Sequence, residues 1–418
     1  MHSLRSVFAV SLVLGGYAAS AAASDALFSP IPNREFVSRP GPLLKSVVDD
    51  AANANIELVA VRADALSERS KRVTLALPGN IEIQAQQTGF ERLPSGNDVW
   101  TGRIDLGALS KVVAGRGIPL DPLMDNITAV RSGDTVLANI RVGDAMYRLV
   151  PVEKGAHALI EVDQSKFLPD EDDAAYAQMQ RSSKPQDVFG GPAPMQKAIS
   201  TIRVMVAFGA SATANIGNEQ QALDLAFTEA NQALANTNTD IRFQQAGSIR
   251  FYTQSESTTY STMLSRLTNQ TDGWYDAIGG QRNTNTADIV AYVAPQSSTL
   301  CGQAAGIATS SANAYFVISW SCLSGNWTFV HEAAHVVGAR HDNDSTTTPF
   351  SYGHGYVMSS INRRTVMAVN NGPCSSCTRF PAFSSPNYSL SGVTIGTASF
   401  NDNTRVWRTR GPTVAAFR

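Results

Sequence analysis

One short segment near residue 335 constrains this chain more than any other feature of its sequence. The chain has six histidines, and His331, His335 and His341 fall close together. On a helix, His331 and His335 lie one turn apart on the same face, so both imidazoles can reach one metal ion. Gly338 can take a positive φ and end that helix, so the returning chain can supply His341 as a third nitrogen. Three nitrogens leave one position open for water, so the spacing predicts a single catalytic zinc ion.

Glu332 directly follows the first predicted ligand. It can project beside the metal without binding it, which is where a general base for the metal's water molecule is needed. The alternative is that these are ordinary helix and surface residues. The short His-Glu-x-x-His pattern does occur by chance, but the longer form with Gly338, His341 and Asp342 is far more specific, so we favour the zinc interpretation.

The longer pattern resembles the metzincin clan of zinc endopeptidases, and a second element of that clan follows downstream. The resemblance implies that Met367 lies beneath the metal as an apolar floor. Some metzincins have a tyrosine ligand two residues later, whereas this chain has Val369. The pair His341-Asp342 is similar to reprolysin-like members, and we expect Asp342 to brace the site through hydrogen bonds. The clan implies an α/β (α+β) catalytic domain with a twisted mixed sheet and an active-site helix.

Further segments between residues 200 and 418 resemble the bacterial peptidyl-Asp metallopeptidase family. They are Asp288–Val293, Cys301-Gly302, Phe350–Tyr356, Arg364–Met367, Phe383–Pro386 and Val414–Arg418. The resemblance implies cleavage on the amino side of Asp, and sometimes of Glu or cysteic acid. An acidic side chain there needs a cation in its pocket, and arginine pairs with carboxylates through two hydrogen bonds. Of the candidates Arg363, Arg364 and Arg379, we favour Arg379. His354 is a further candidate near the site, but we favour a structural role for it in a loop.

Two other functions remain open. One is a metzincin of narrow specificity, such as a toxin or a processing protease. The other is a non-catalytic binding protein on the same fold, which the intact Glu332 and the three histidines argue against.

The first 23 residues have the pattern of a secretory signal peptide. A charged start is followed by the apolar run Val7–Leu14 and then by small residues, with cleavage expected near Ala23 or Ala21. An uncleaved anchor is the alternative. No later segment reaches about 18 uninterrupted apolar residues, so we expect a secreted protein that passes through the periplasm in transit and has no membrane segment after signal removal.

Residues 24–197 are predicted to be a mostly β propeptide, and 198–418 the catalytic domain. A permanent accessory domain is the rival interpretation of the first part. The acidic stretch 169–173 and a Gly/Pro-rich loop predict an exposed linker over about 168–197. The propeptide is expected to inhibit its own protease. It contains no cysteine to block zinc, so Asp187 or His157 are the candidates for that role.

The four cysteines all lie in the last third of the chain. An even number in an exported chain suggests two disulfides. We favour Cys301 with Cys322 and Cys374 with Cys377, since both pairings close short loops; a redox or zinc role for Cys374 and Cys377 lacks the necessary context. Lys and Arg total 33 against 35 Asp and Glu, so charge gives no case for nucleic acid. Calcium is possible but unsupported, and a monomer is expected.

Apolar spacing predicts the main secondary-structure elements of both parts. Period-two alternation predicts strands in the first part, and continuous apolar runs predict buried strands in the second. Helical spacing predicts a helix over 219–235 and another from Asn403. The predicted strands are 73–77, 81–84, 136–140, 147–150, 202–208, 288–293 and 315–320.

Overall fold

The computed structural model describes residues 26–32, 40–79, 81–105, 121, 123–182, 198–254, 256–257, 259–369, 374 and 376–418. Two compact units make up the chain, one ending at Phe167 and the other running from Leu168 to Arg418. Among the described residues, no helix is both long and apolar enough to cross a membrane. The predicted signal peptide, residues 1–23, lies outside the described residues, as does Asp187.

The first unit is built on one antiparallel sheet of nine strands, ordered β1-β2-β9-β8-β7-β6-β5-β4-β3. Alternating side chains bury one face in a core that includes Leu75, Trp100 and Ile140, while helix α1 covers apolar residues of the other face. The predicted alternating runs all fall in these strands. The strands and the helix are β1 Phe28–Pro30, α1 Pro42–Asp49, β2 Asn53–Val61, β3 Arg72–Leu77, β4 Ile81–Arg92, β5 Asp98–Asp105, β6 Asn126–Ser132, β7 Thr135–Val142, β8 Ala145–Pro151 and β9 His157–Val162.

The second unit is a mixed α/β structure around a six-stranded sheet. The sheet order is β11-β10-β13-β15-β14, with β12 also pairing β10; β14 is antiparallel to β15, and the other pairs are parallel. Every residue of β13 is buried, as expected for a strand covered on both faces. The elements up to β15 are α2 Asp173–Ser182, β10 Ser200–Gly209, α3 Ala210–Asn215, α4 Glu219–Ala235, β11 Ile241–Gln245, β12 Arg250–Tyr252, α5 Tyr260–Thr268, α6 Ala277–Thr284, β13 Ile289–Ala294, β14 Gly302–Ala304 and β15 Tyr315–Ser319.

Helix α7, Thr328–Val337, packs between this sheet and the last helix of the chain. Phe329 meets Phe316 of β15 edge to face, with ring centroids 5.2 Å apart. Arg410 of the last helix donates to the carbonyls of Val336 and Val337, which satisfies acceptors that a helix end leaves free. The remaining elements are β16 Val357–Met358, β17 Arg363–Arg364, β18 Thr378–Arg379, β19 Ser389–Leu390, β20 Val393–Thr394 and α8 Asn403–Val414.

Two disulfides join the cysteines in the pairing favoured from loop length. Cys301 is bonded to Cys322, and Cys374 to Cys377. No free cysteine is present among the described residues.

The prediction of an exposed linker over about 168–197 is wrong for the first half of that range. Residues 168–182 belong to the second unit and include helix α2. Asp170 is only 3% exposed and Glu171 only 7%. Acidic composition predicted exposure because carboxylates are seldom buried without a partner, but partners exist here far away in sequence.

Candidate metal centre

Helix α7 and the turn after it bring the three predicted ligands together. Gly338 ends the helix with a φ of 121°, and its N–H donates to the Ala334 and His335 carbonyls. A Cβ at this position would lie 2.9 Å from the Phe350 ring, so the turn favours glycine for both conformation and space. The Nε2 atom of His331 lies 3.1 Å from those of His335 and His341, and the latter two are 3.2 Å apart.

Backbone carbonyls fix the orientation of two of these rings. The Nδ1 atom of His331 donates to the Val366 carbonyl at 2.9 Å, and that of His335 donates to the Ala339 carbonyl at 2.9 Å. Both Nε2 atoms therefore present lone pairs to the centre of the cluster. Burial lowers the pKa of His335 to about 4, which keeps its imidazole neutral. Neutral, oriented imidazoles are the form in which histidine binds a metal.

A carboxylate that the sequence did not predict covers the same cluster. Glu171 Oε1 lies 2.9 Å from His335 Nε2 and 3.4 Å from His331 Nε2, and Oε2 lies 3.1 Å from His341 Nε2. These four side chains form the candidate metal-binding group of the described residues.

The chemistry of this donor set fits a cation. The lone pairs of His331 and His335 face an acidic side chain that finds no hydrogen-bond partner among the described residues. Such atoms repel one another unless a positive charge lies between them. The three Nε2 atoms form a triangle whose corners lie about 1.8 Å from its centre, close to the roughly 2.0–2.1 Å over which histidine nitrogens would hold a zinc ion.

Glu332 lies beside the cluster and is completely buried. Neither carboxylate oxygen has a hydrogen-bond partner among the described residues. Burial raises the pKa of Glu332 well above its ordinary value, and the nearby carboxylates of Glu171 and Asp170 raise it further. Strand β14 approaches closely here, since a Cβ added to Gly302 would lie 2.5 Å from Glu332 Oε1. The carboxylate thus occupies space that only glycine leaves free.

Asp342 and Met367 lie in the segments that hold the cluster. Asp342 Oδ1 accepts a hydrogen bond from the Val369 N–H at 2.9 Å, which ties the segment after His341 to the turn that contains Met367. Met367 is fully buried and directly follows Val366, whose carbonyl orients His331. Asp342 therefore connects the segment after His341 to this turn by a hydrogen bond.

The three candidate arginines differ in what they contact. Arg379 donates from Nη1 to Asp170 Oδ1 at 2.9 Å and from Nη2 to Asp170 Oδ2, a bidentate pair. Arg364 donates to the Cys377 and Ala368 carbonyls. Burial, and to a smaller extent repulsion from Arg379, lowers the pKa of Arg364 to about 9. Arg363 donates to the Asn362 carbonyl. Arg379 thus holds a carboxylate through two hydrogen bonds.

The pKa of Asp170 shows which effect wins at this pair. Burial alone would raise it, but the Arg379 guanidinium and His331 together outweigh burial and hold the pKa of Asp170 below its ordinary value. Asp170 is therefore ionised as well as buried.

Two further histidines lie in ordinary structural positions. His354 lies between the Thr346 and Phe400 carbonyls and stacks on the Phe400 ring at 3.9 Å. His157 belongs to the first unit, where its Nε2 accepts a hydrogen bond from the Val136 N–H at 3.1 Å. Neither of these contacts involves the histidine cluster. The carboxylate that lies over the cluster belongs to Glu171.

Sequence reasoning missed Asp170, Glu171 and Tyr176. The Tyr176 ring stacks on His341 with centroids 4.0 Å apart and planes 14° apart. Its hydroxyl donates to Asp344 Oδ2 at 2.8 Å. The one available signal was the acidic run at 169–173, whose composition is equally typical of a solvated linker.

A histidine triad with a buried glutamate beside it, on a helix packed against a mixed sheet, is the site of a metallopeptidase. Comparison with known proteins agrees, because the family model described as "Metallo-peptidase family M12B Reprolysin-like" matches residues 220–342. A protein named peptidyl-Asp metalloendopeptidase, from Xanthomonas campestris pv. campestris, is 38% identical over 389 residues, which cover 90% of this chain and 89% of that protein.

A protein of the same name from Stenotrophomonas maltophilia strain K279a is 35% identical over 419 residues, covering 97% of each chain. One from Pseudomonas fragi is 31% identical over 193 residues, which are 46% of this chain and all of that protein. The chain belongs to the family of bacterial peptidyl-Asp metalloendopeptidases and is a metalloendopeptidase. The family resemblance seen in the sequence is thereby confirmed.

Proposed function

We propose that this chain is a zinc endopeptidase that hydrolyses peptide bonds on the amino side of Asp, with Glu332 as general base and His331, His335 and His341 as metal ligands. The observation that carries the proposal is the convergence of three imidazole nitrogens beside a buried glutamate without a hydrogen-bond partner among the described residues. Zinc bound there supplies Lewis acidity, which lowers the pKa of bound water and polarises the scissile carbonyl.

Glu332 moves the proton in this mechanism. A carboxylate oxygen of Glu332 takes a proton from the attacking water and later passes it to the nitrogen of the leaving amine. The close approach of Gly302 restricts where the carboxylate can lie, which supports its orientation toward the cluster.

Arg379 is the residue that we propose recognises the acidic side chain of the substrate. Arg379 is only 3% exposed, and its guanidinium also donates to the Asn326 carbonyl at 2.9 Å, so its position is fixed from two sides. A bidentate arginine matches the planar geometry of a carboxylate. The name of the relatives, peptidyl-Asp metalloendopeptidase, supports cleavage next to Asp.

We also propose that residues 1–23 direct export, that 24–197 form a propeptide and that 198–418 are the mature enzyme. The charged, apolar and small-residue sequence at the start supports export. Amino-terminal sequencing of the protein from culture medium tests these boundaries. A mature chain that begins near Ala198 is expected, and one that begins near Ser24 would contradict the propeptide.

Peptide-map mass spectrometry of a denatured protein digested by the processed enzyme tests the function. Cleavage mainly before Asp is expected, and it should disappear in Glu332→Gln, which keeps the shape of the side chain but not the base. Treatment with a chelator should abolish cleavage, and added zinc should restore it. Cleavage before apolar residues would contradict the specificity, and cleavage by zinc-loaded Glu332→Gln at the wild-type rate would contradict the mechanism.

Paired peptides that differ only in Asp or Asn after the scissile bond test Arg379. The preference for Asp, measured as a ratio of kcat/KM, should fall about 10- to 100-fold in Arg379→Gln, because hydrogen bonds to charged groups contribute about 1.5–3 kcal/mol. Arg363→Gln serves as the matched control, and its preference should stay at the wild-type value. An unchanged ratio in Arg379→Gln would show that another residue binds the acidic side chain.

A further inference from the structure

The segment Leu168–Ser182, called the plug below, lies along the edge of the sheet beside the histidine cluster. The Cys301 N–H donates to the Pro169 and Asp170 carbonyls at 2.8 and 3.0 Å, and the Gly302 N–H donates to the Asp170 carbonyl at 2.8 Å. These are hydrogen bonds at the start of β14, the edge strand. An extended peptide binds an exposed sheet edge through contacts of this kind, so the start of the plug occupies such a position.

Asp170 places an acidic side chain on the arginine that we propose recognises acidic substrates. Both of its carboxylate oxygens are bound by Arg379, and Oδ1 also accepts a hydrogen bond from Thr328 Oγ1 at 2.9 Å. The side chain is 3% exposed. The carboxylate of Asp170 therefore fills the site that the Asp of a substrate would need.

Glu171, the next residue, extends its carboxylate to the histidine cluster. Its oxygens lie 2.9–3.4 Å from the three Nε2 atoms and stand where the fourth ligand of a metal would be. Glu171 presents a side chain there, and a carboxylate contains no bond that a peptidase can hydrolyse. The plug thus covers the metal site without offering a peptide bond to it.

Helix α2, the rest of the plug, is fastened to the loop after His341. Tyr176 stacks on the His341 ring, and the Tyr176 hydroxyl and the Gln180 amide both donate to Asp344 Oδ2, at 2.8 and 3.0 Å. Asp344 is also held by Arg340 Nη1 at 2.6 Å. Gln178 contacts Gln303 of β14 at 3.3 Å. These contacts bind the plug to the rest of the second unit independently of its two carboxylates.

We propose that the plug is an autoinhibitory segment with two carboxylates, in which Asp170 mimics the acidic side chain of a substrate on Arg379 while Glu171 takes the water position over the histidines. This inference rests on the proposed function and describes how the proposed peptidase activity is regulated. Cutting the chain between the two units, near Phe167, would leave the plug in place. Release requires hydrolysis of a peptide bond on the carboxyl side of Ser182.

The first test measures zinc rather than activity. Full-length chain carrying Glu332→Gln, which prevents self-cleavage, is loaded with zinc, and transfer of zinc to a chromogenic chelator is timed. Adding Asp170→Asn and Glu171→Gln together should speed transfer at least ten-fold, because the site is no longer covered. Asp173→Asn removes the same kind of charge from an exposed position of the plug and should leave the rate unchanged. Equal rates in all three proteins would overturn the proposal.

The second test supplies the plug as a separate peptide, so it does not depend on the folding of any variant. A synthetic peptide of residues 168–182 should inhibit the processed enzyme competitively, and the Asp170→Asn/Glu171→Gln peptide should be at least ten-fold weaker. The Asp173→Asn peptide is again the control. Active enzyme that the wild-type peptide fails to inhibit would overturn the plug and leave the proposed function intact. Processed, zinc-loaded enzyme without activity would overturn the proposed function, and the zinc-transfer result would still decide the plug.

Discussion

Replacing Gly302 by alanine should lower kcat, because the added methyl group displaces the carboxylate of Glu332. The added Cβ would lie 2.5 Å from Glu332 Oε1, 2.7 Å from Cγ and 2.8 Å from Cδ. Ordinary contacts begin at roughly 3.4 Å, so the Glu332 carboxylate must retreat by about 1 Å. Gly302 has ordinary strand geometry without a positive φ, and its N–H remains in the variant, so the backbone tolerates alanine.

The magnitude follows from the displacement. A misplacement of about 1 Å in a catalytic group can cost about 10²-fold in rate, which corresponds to about 2.7 kcal/mol in the activation free energy. Substrate binding through Arg379 is not touched, so KM should change little. Zinc content should also stay constant, because the three atoms nearest to the new methyl group all belong to Glu332 and not to a histidine.

Steady-state kinetics of the processed enzyme on a quenched peptide with Asp after the scissile bond measures both constants. Gly280→Ala is the matched control, since a Cβ there meets nothing within 4 Å, and its kcat should equal that of wild type. The double variant Gly302→Ala/Glu332→Gln should be no slower than Glu332→Gln alone, because both changes act on one group. A zinc-loaded Gly302→Ala enzyme with kcat within two-fold of wild type would refute the placement of Glu332 as the base.

Two further predictions concern buried polar groups. Burial lowers the pKa of His157 from 6.5 to about 4, so the unfolded chain takes up this proton first. His157 should therefore contribute its full stability above pH 6.5 and lose up to about 3 kcal/mol as pH falls from 6.5 to 4. Urea unfolding of the first unit should show this slope in wild type, and a slope that persists in His157→Gln would contradict the assignment. Asp342→Ala should free the Val369 N–H and loosen the turn holding Met367, lowering zinc affinity about 10- to 100-fold; a competitive chelator titration that gives wild-type affinity would exclude a bracing role.

Much of the fold could be predicted because the signal is local. The helix predicted over 219–235 coincides with α4, and the apolar run 202–208 lies within β10, since burial of one helical face or of a whole strand leaves a periodic trace in neighbouring residues. The disulfide pairing followed from short loops for the same reason. The β content of the first unit was predicted, whereas its nine-strand order depends on pairings between distant strands that no local pattern encodes.

The linker shows where local reasoning fails. Residues 169–173 are acidic, and composition alone predicts that they face solvent. Asp170 is instead paired with Arg379, 209 residues further along the chain, and Glu171 meets three histidines more than 150 residues away. Burial of these carboxylates is possible only because the fold brings the compensating groups to them.

By itself, the sequence determined that His331, Glu332 and His335 share one helical turn and that Gly338 can end the helix, because the covalent geometry of a helix fixes which neighbours meet. Tertiary structure alone decided that Arg379 holds a carboxylate, that Gly302 lies against Glu332, and that Glu171 covers the histidines. These contacts join residues far apart in sequence, and their formation depends on the packing of the whole unit, which no single segment specifies.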